Sequence, residues 1–195
     1  MAKKETVAKM LRIITVPPIL VTGFLIVLAL TREDIFQSRL QIGLSILLLG
    51  VVPLLAYPLQ PLLPGFRGKG RAGQRALAFV LNLTGYAAAV AVGYCMRVSE
   101  NLQLIYNTYL LSALVLTVVN KMFHIRASGH MCSAAGPLVF LIYYVGWQGI
   151  LPCAVIGCGV VWSSLRLKRH RVRELLMGAG VCLASFGCAW LFSQF

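Results

Sequence analysis

Acidic residues are scarce in this chain: five Asp and Glu stand among 195 residues, against 18 Lys and Arg. So few carboxylates fit neither a carboxylate metal cage nor a paired-carboxylate acid–base site. Charge of either sign is thin as well, at 12% of residues, where a soluble domain carries about 25%. Hydrophobic residues reach 59% and the mean hydropathy is +0.83, which excludes a water-exposed globule and a disordered chain. The sequence has no internal repeat, no Gly-rich phosphate loop and no separate soluble domain. What is present is a formal charge of +13 on a chain that needs lipid around it. A basic nucleic-acid binder would not hold this much Leu, Val and Ala, so no nucleic-acid partner is expected.

Six stretches are free of Asp, Glu, Lys and Arg: 13–31, 40–66, 76–96, 101–120, 127–165 and 175–195. A helix needs roughly 20 apolar residues to cross a bilayer, so five of them read as one span each. The stretch 127–165 is nearly twice that length and is interrupted by Gly146-Trp147-Gln148-Gly149, which predicts a helical hairpin. The fold class expected is all-α, a single integral-membrane helical bundle over residues 1–195 with seven spans, six being the alternative count. β-Barrel strands would alternate polar and apolar residues, and these runs do not. Pro17 and Pro18 are expected to kink the first span or start it late. Pro53, Pro58, Pro61 and Pro64 predict an irregular end to the second after about Tyr57. Residues 131–145 are short for a crossing and predict a helix that begins below the membrane surface. No small-residue cleavage site follows the basic and apolar amino terminus before Thr31-Arg32-Glu33-Asp34, which disfavours a cleaved signal peptide.

With seven spans, fifteen of the 18 cations fall on one side, and only Arg32, Arg39 and Arg97 on the other. The positive-inside rule places the amino terminus and the even connections in the cytoplasm of a multi-pass membrane protein. Leaving out the fourth and sixth connections still gives eight cations against three. The six cysteines lie in or beside spans without metal-ligand spacing and read as packing residues rather than disulfides or a zinc set.

All three histidines, His124, His130 and His170, fall in the fourth and sixth connections, which emerge on the same face. Anchoring by positive charge accounts for the Lys and Arg there but not for gathering every His. Fixed cations at a partly dehydrated surface suit the equatorial oxygens of a phosphoryl group. One His can attack phosphorus while another protonates the leaving oxygen and then activates water. Glu174, four residues after His170, is spaced to hold that imidazole in its nucleophilic tautomer. The chemistry fits phosphate ester or anhydride hydrolysis through a phosphohistidine, with no metal or other cofactor. His124 has no such partner and reads as a surface residue.

These residues resemble the integral-membrane type 2 phosphatidic acid phosphatases of the vanadium-haloperoxidase superfamily, whose motifs run K-x6-R-P, P-S-G-H and S-R-x5-H-x3-D. Ser128-Gly129-His130 matches S-G-H, with Ala127 in place of Pro. His170 and Glu174 match H-x3-D, with Glu for Asp, and the family spacing back from His170 lands on Ser163-Ser164 instead of Ser-Arg. The first motif is compressed to Lys121 and Arg126. The likeness covers residues 120–174 and is nearest to compact microbial members, implying a bacterial or archaeal plasma membrane. It implies His170 as nucleophile, Glu174 as its orienting partner and His130 as general acid and base. It also implies Lys121, Arg126, Ser128 and Gly129 as phosphate ligands. Arg166, two residues past Ser164, is the candidate for the absent Arg, although it lies on the opposite flank of a helix.

The activity expected is hydrolysis of a lipid phosphate or isoprenoid diphosphate entering sideways from the membrane. Its chain would lie along small-residue faces near Gly85, Ala87 and Gly93. The rival expectations are a relative that binds phosphorylated lipids without cleaving them, for which Ser164 speaks, and a small transporter for them. Against a transporter stands the absence of charged residues within the other spans.

Overall fold

A computed structural model describes residues 2–194, and every regular element among them is a helix. Phe195, the last residue of the final expected span, lies outside the described residues. In chain order the helices are α1 (Ala2–Ile14), α2 (Pro17–Thr31), α3 (Arg39–Leu59), α4 (Gly70–Met96), α5 (Glu100–Lys121), α6 (Gly129–Val145), α7 (Ile150–Arg166) and α8 (Val172–Phe192). Five segments are long and apolar enough to cross a membrane, taking Gly129–Arg166 as one, and six if the bent pair α1–α2 is included. Large apolar side chains such as Leu30, Leu151, Leu183 and Phe192 are exposed around the bundle. An all-helical bundle with an apolar exterior is what a multi-pass membrane protein presents to lipid.

Local chemistry sets the breaks. Pro17 and Pro18 occupy the first turn of α2, and Val16 ahead of them is extended at φ −61°, ψ 136°, the conformation a residue before proline prefers. The chain therefore starts α2 late, and α1 meets it at 55°. Pro53 cannot donate to the carbonyl four residues back, and the turn at Leu47–Val51 ahead of it widens to a π-helix. Helix α3 ends at Leu59, and turns carry the chain through the remaining prolines. Ser38, Ser99 and Ser128 cap α3, α5 and α6, each hydroxyl accepting from a backbone N–H three residues on. The break within 127–165 is a 3₁₀ turn over Gly146–Gly149. Beyond it the chain folds back, since the Cys153 thiol lies 3.5 Å from the Leu138 carbonyl oxygen. A straight helix would separate positions fifteen apart by about 22 Å.

The bundle has two unlike ends. At one, Arg32 donates to the Tyr144 carbonyl (2.6 Å), the Ser99 hydroxyl to the Ile35 carbonyl (2.6 Å), and Asn101 to Asp34 (3.0 Å). This end holds Arg32, Arg39 and Arg97 with Glu33, Asp34 and Glu100, so its formal charge cancels. The entire +13 sits at the other end, with α1 and the connections that follow α3, α5 and α7.

The core lies toward the neutral end. Phe140 is its hub, with ring centroids 5.8 Å from Phe24, 5.9 Å from Tyr144 and 5.3 Å from Phe186. Of the small residues expected to border a lipid chain, Ala87 is exposed, but Gly85 and Gly93 are taken up by helix packing. A side chain at Gly85 would meet the Leu48 carbonyl, and one at Gly93 would strike Gln103 and Tyr106. That slot is closed.

Candidate active site

The basic half of the bundle encloses a cavity of about 580 Å³. Its floor is the tilted pair Tyr86 and Tyr109, 5.3 Å apart, which joins it to the aromatic core. His130, His170, Glu174 and four arginines, Arg12, Arg75, Arg126 and Arg169, line its upper part. Four guanidinium groups therefore face one carboxylate.

His170 sits in the connection before α8, and Glu174 lies in the first turn of that helix. Lys168 in the left-handed conformation (φ 50°) and a bond from the Arg169 N–H to the Ser164 carbonyl (3.0 Å) turn the chain toward α8. The His170 Nδ1 lies 2.8 Å from Glu174 Oε2. An ionised carboxylate only accepts, so Nδ1 carries a proton, and in the neutral imidazole the lone pair is then on Nε2. A carboxylate is also favoured at this helix N-terminus by the backbone dipole.

The second histidine is fixed by backbone. The Ser128 N–H donates to the main-chain carbonyl of Glu174 at 2.8 Å. Gly178 makes that approach possible, because any side chain there would collide with the Ser128 carbonyl. Asn120 clamps the preceding loop from both sides, accepting from the Ala127 N–H (2.8 Å) and donating to its carbonyl (3.3 Å). His130 follows in the first turn of α6, and its buried Nε2 has no hydrogen-bond partner in the protein. Arg12 and His170 line the same cavity.

Of the eight residues singled out by motif, five line the cavity: His130, His170, Glu174, Arg126 and Gly129. Ser128 is buried behind it as the cap of α6. Lys121 and Arg166 do not reach it. The Lys121 ammonium lies over the Phe79 ring, 5.7 Å from its centroid. Arg166 is exposed at the end of α7, about 200° around the helix from Ser164. His124 is exposed, in the left-handed conformation at φ 52°, and does not line the cavity.

Motif spacing missed Arg12, Arg75, Arg169 and Asn120, all of which line the cavity. Arg12 is the most unexpected: its Nη1 donates to the Ser164 hydroxyl at 3.2 Å across 152 residues of sequence. Only the positive charge of each loop signalled the arginines. Among the described residues no three His, Cys, Asp or Glu side chains converge at metal-binding distance. No family model matches this chain, and no curated protein or solved structure is similar to it.

A second groove, of about 570 Å³, runs along the surface between α1, the start of α2 and the end of α3. Ile13, Ile19 and Leu54 line it, with Lys9 and Arg71 among them, while Arg12, Val16, Tyr57, His130 and Arg169 belong to groove and cavity alike. An apolar surface channel thus leads to the cluster of guanidinium and imidazole groups.

Proposed function

We propose that the protein is a membrane-embedded, metal-independent phosphatase for lipid phosphates or isoprenoid diphosphates, a compact relative of the type 2 phosphatidic acid phosphatases. The observation that carries this is the His170–Glu174 pair at 2.8 Å, set with His130 and four arginines around one cavity. Arginine forks hold the phosphoryl oxygens. The His170 Nε2 lone pair attacks the terminal phosphorus as its P–O bond breaks, to the lipid oxygen in a monoester or to the bridging oxygen in a diphosphate, and His130, entering the step as imidazolium, gives its proton to the departing oxygen. A P–N bond now joins phosphate to His170. His130 next takes a proton from water, whose oxygen attacks phosphorus and releases inorganic phosphate and free His170.

The substrate's chain lies in the apolar groove beside Ile13, Ile19 and Leu54, entering sideways from lipid so that its phosphate meets Arg12 and Arg169. The α6–α7 hairpin counts as two crossings, giving seven, and the charge asymmetry directs the basic end to the cytoplasm. Thiol labelling of cysteines placed at Ser99 and Gly68 tests that orientation. The main experiment is phosphate release in detergent with EDTA from a panel of lipid phosphates and prenyl diphosphates. Release by the wild type that is lost in His170→Ala is expected. Equal release by both, or strict dependence on added divalent metal, removes the mechanism.

A further inference from the structure

A half-buried guanidinium that no carboxylate neutralises is costly unless an anion joins it. Arg12 is such a group. It is partly buried, and it lines both the cavity and the groove. All five acids of the chain are accounted for elsewhere. Glu5 pairs with Lys9 at the groove (3.5 Å), and Glu174 holds His170. Glu33, Asp34 and Glu100 sit at the opposite end of the bundle. The titratable groups that bear on Arg12 are Tyr57, Arg75, Arg71 and His130, and none of them is a carboxylate. Its counter-charge must therefore come from outside the chain.

The geometry also fixes how it is aimed. Helix α1 packs against α7, with Ala8 fully buried, and this contact brings Arg12 to Ser164. One nitrogen of the fork donates to the Ser164 hydroxyl, which leaves the remaining donors free for a ligand. Ser164 itself is fully buried and is absent from the cavity lining. It acts as a positioning residue, holding from behind a cation that a distant segment supplies.

We propose that Arg12, carried in by the amino-terminal helix and oriented by Ser164, binds the substrate's phosphate and completes a set of basic side chains whose other members lie within residues 75–170. This rests on the phosphatase assignment for the identity of the ligand, but not for the anion site itself.

The test is calorimetric titration of inorganic phosphate into the full chain in detergent, which needs no turnover, alongside phosphate release from the best lipid substrate. Arg12→Ala is expected to weaken phosphate binding by about 10- to 100-fold, the range for a charge-assisted contact. It should raise KM more than it lowers kcat. Ser164→Ala, which removes only the orienting acceptor, should weaken binding by roughly 3- to 10-fold. The double variant should be no worse than Arg12→Ala alone, because Ser164 works only through Arg12. Lys4→Ala, an exposed cation on the same helix, should bind as the wild type does and shows that general loss of charge is not the cause. Unchanged binding in Arg12→Ala, or no phosphate binding by the wild type, overturns the proposal. Arg12-dependent binding without hydrolysis of any lipid phosphate upholds it and removes the hydrolytic assignment instead. Hydrolysis with KM unchanged in Arg12→Ala does the reverse.

Discussion

Replacing Glu174 by alanine removes the carboxylate 2.8 Å from His170 Nδ1 but leaves the main-chain carbonyl that accepts from Ser128. The two contacts separate chemistry from architecture. In the proposed mechanism the ring becomes cationic as His170 Nε2 bonds to phosphorus, and the carboxylate then faces a full positive charge. Across 2.8 Å, at an effective dielectric constant of about 20, that attraction is roughly 6 kcal/mol. The side chains of the pair are 22% and 17% exposed, so screening by water lowers the useful part to about 2–4 kcal/mol. A loss of that size reduces kcat by roughly 30- to 1,000-fold. In the resting protein a pair spaced i,i+4 contributes only about 0.3–0.5 kcal/mol. Melting should therefore fall by no more than about 2 °C in a chain of this length. KM should change little, because the phosphate ligands are untouched. Initial rates of phosphate release and thermal unfolding in detergent measure both quantities. A kcat within about threefold of wild type refutes the nucleophile assignment. A fall in kcat matched by collapse of the melting transition refutes the division between chemistry and architecture.

Three further outcomes follow from the same geometry. Ser164→Arg should lower activity, since a second guanidinium would be buried against Arg12, whereas Arg12→Ser combined with Ser164→Arg should recover part of it; equal activity in the single and double variants would count against this arrangement. Asn120→Leu should cost about 1–3 kcal/mol through two broken contacts to Ala127 and speed proteolysis after Arg126; wild-type melting and cleavage rates would show the clamp to be dispensable. Hydrogen bonds from Arg32 hold the Asp34 carboxyl below its ordinary pKa, so its contribution to stability is present above the unfolded value near 3.8 and is lost as pH falls through the lower folded value. Comparing the melting of Asp34→Asn with wild type between pH 6 and pH 3 should show their difference narrowing only at the acid end; a constant gap would mean that folding does not lower the pKa of this carboxyl.

Much of the architecture is legible because lipid imposes a simple code. Charge-free runs become helices, and Gly146–Gly149 and Pro17–Pro18 break them where local backbone rules require. The central pair His170 and Glu174 is legible because its partners are four residues apart. The contact does not depend on both being helical: His170 precedes the first turn of α8 and still reaches Glu174. Spacing fails where the site is assembled across the bundle. Nothing in the motif region indicates that Ser164 would meet a residue from α1, since that pairing is made by helix packing. Lys121 illustrates the converse. It falls within the compressed motif, but it ends α5 before the chain reverses, and the ring of Phe79 takes its ammonium. The chain slot near Gly85 and Gly93 is lost for the same reason, because small residues serve helix contact as readily as they serve a ligand.

The partition of the two basic side chains ties orientation to chemistry. All six lysines (Lys3, Lys4, Lys9, Lys69, Lys121 and Lys168) are exposed and none lines the cavity, whereas its lining holds the half-buried Arg12 and the more exposed Arg75, Arg126 and Arg169. An ammonium is strongly hydrated and keeps its charge best in water beside anionic headgroups, which suffices for setting topology. A guanidinium is more weakly hydrated, presents a rigid fork, and can be held in a half-dry pocket while two donors meet two phosphoryl oxygens. If the basic end served orientation alone, either side chain would do at any position, and the cavity would have no reason to select one. The selection makes sense when the four arginines answer to a ligand with paired, coplanar acceptors. The same reasoning accounts for the scarcity of acids. A carboxylate among these arginines would occupy the forks that the proposed function assigns to phosphate, and Glu174, which lines the same cavity, is already turned toward His170.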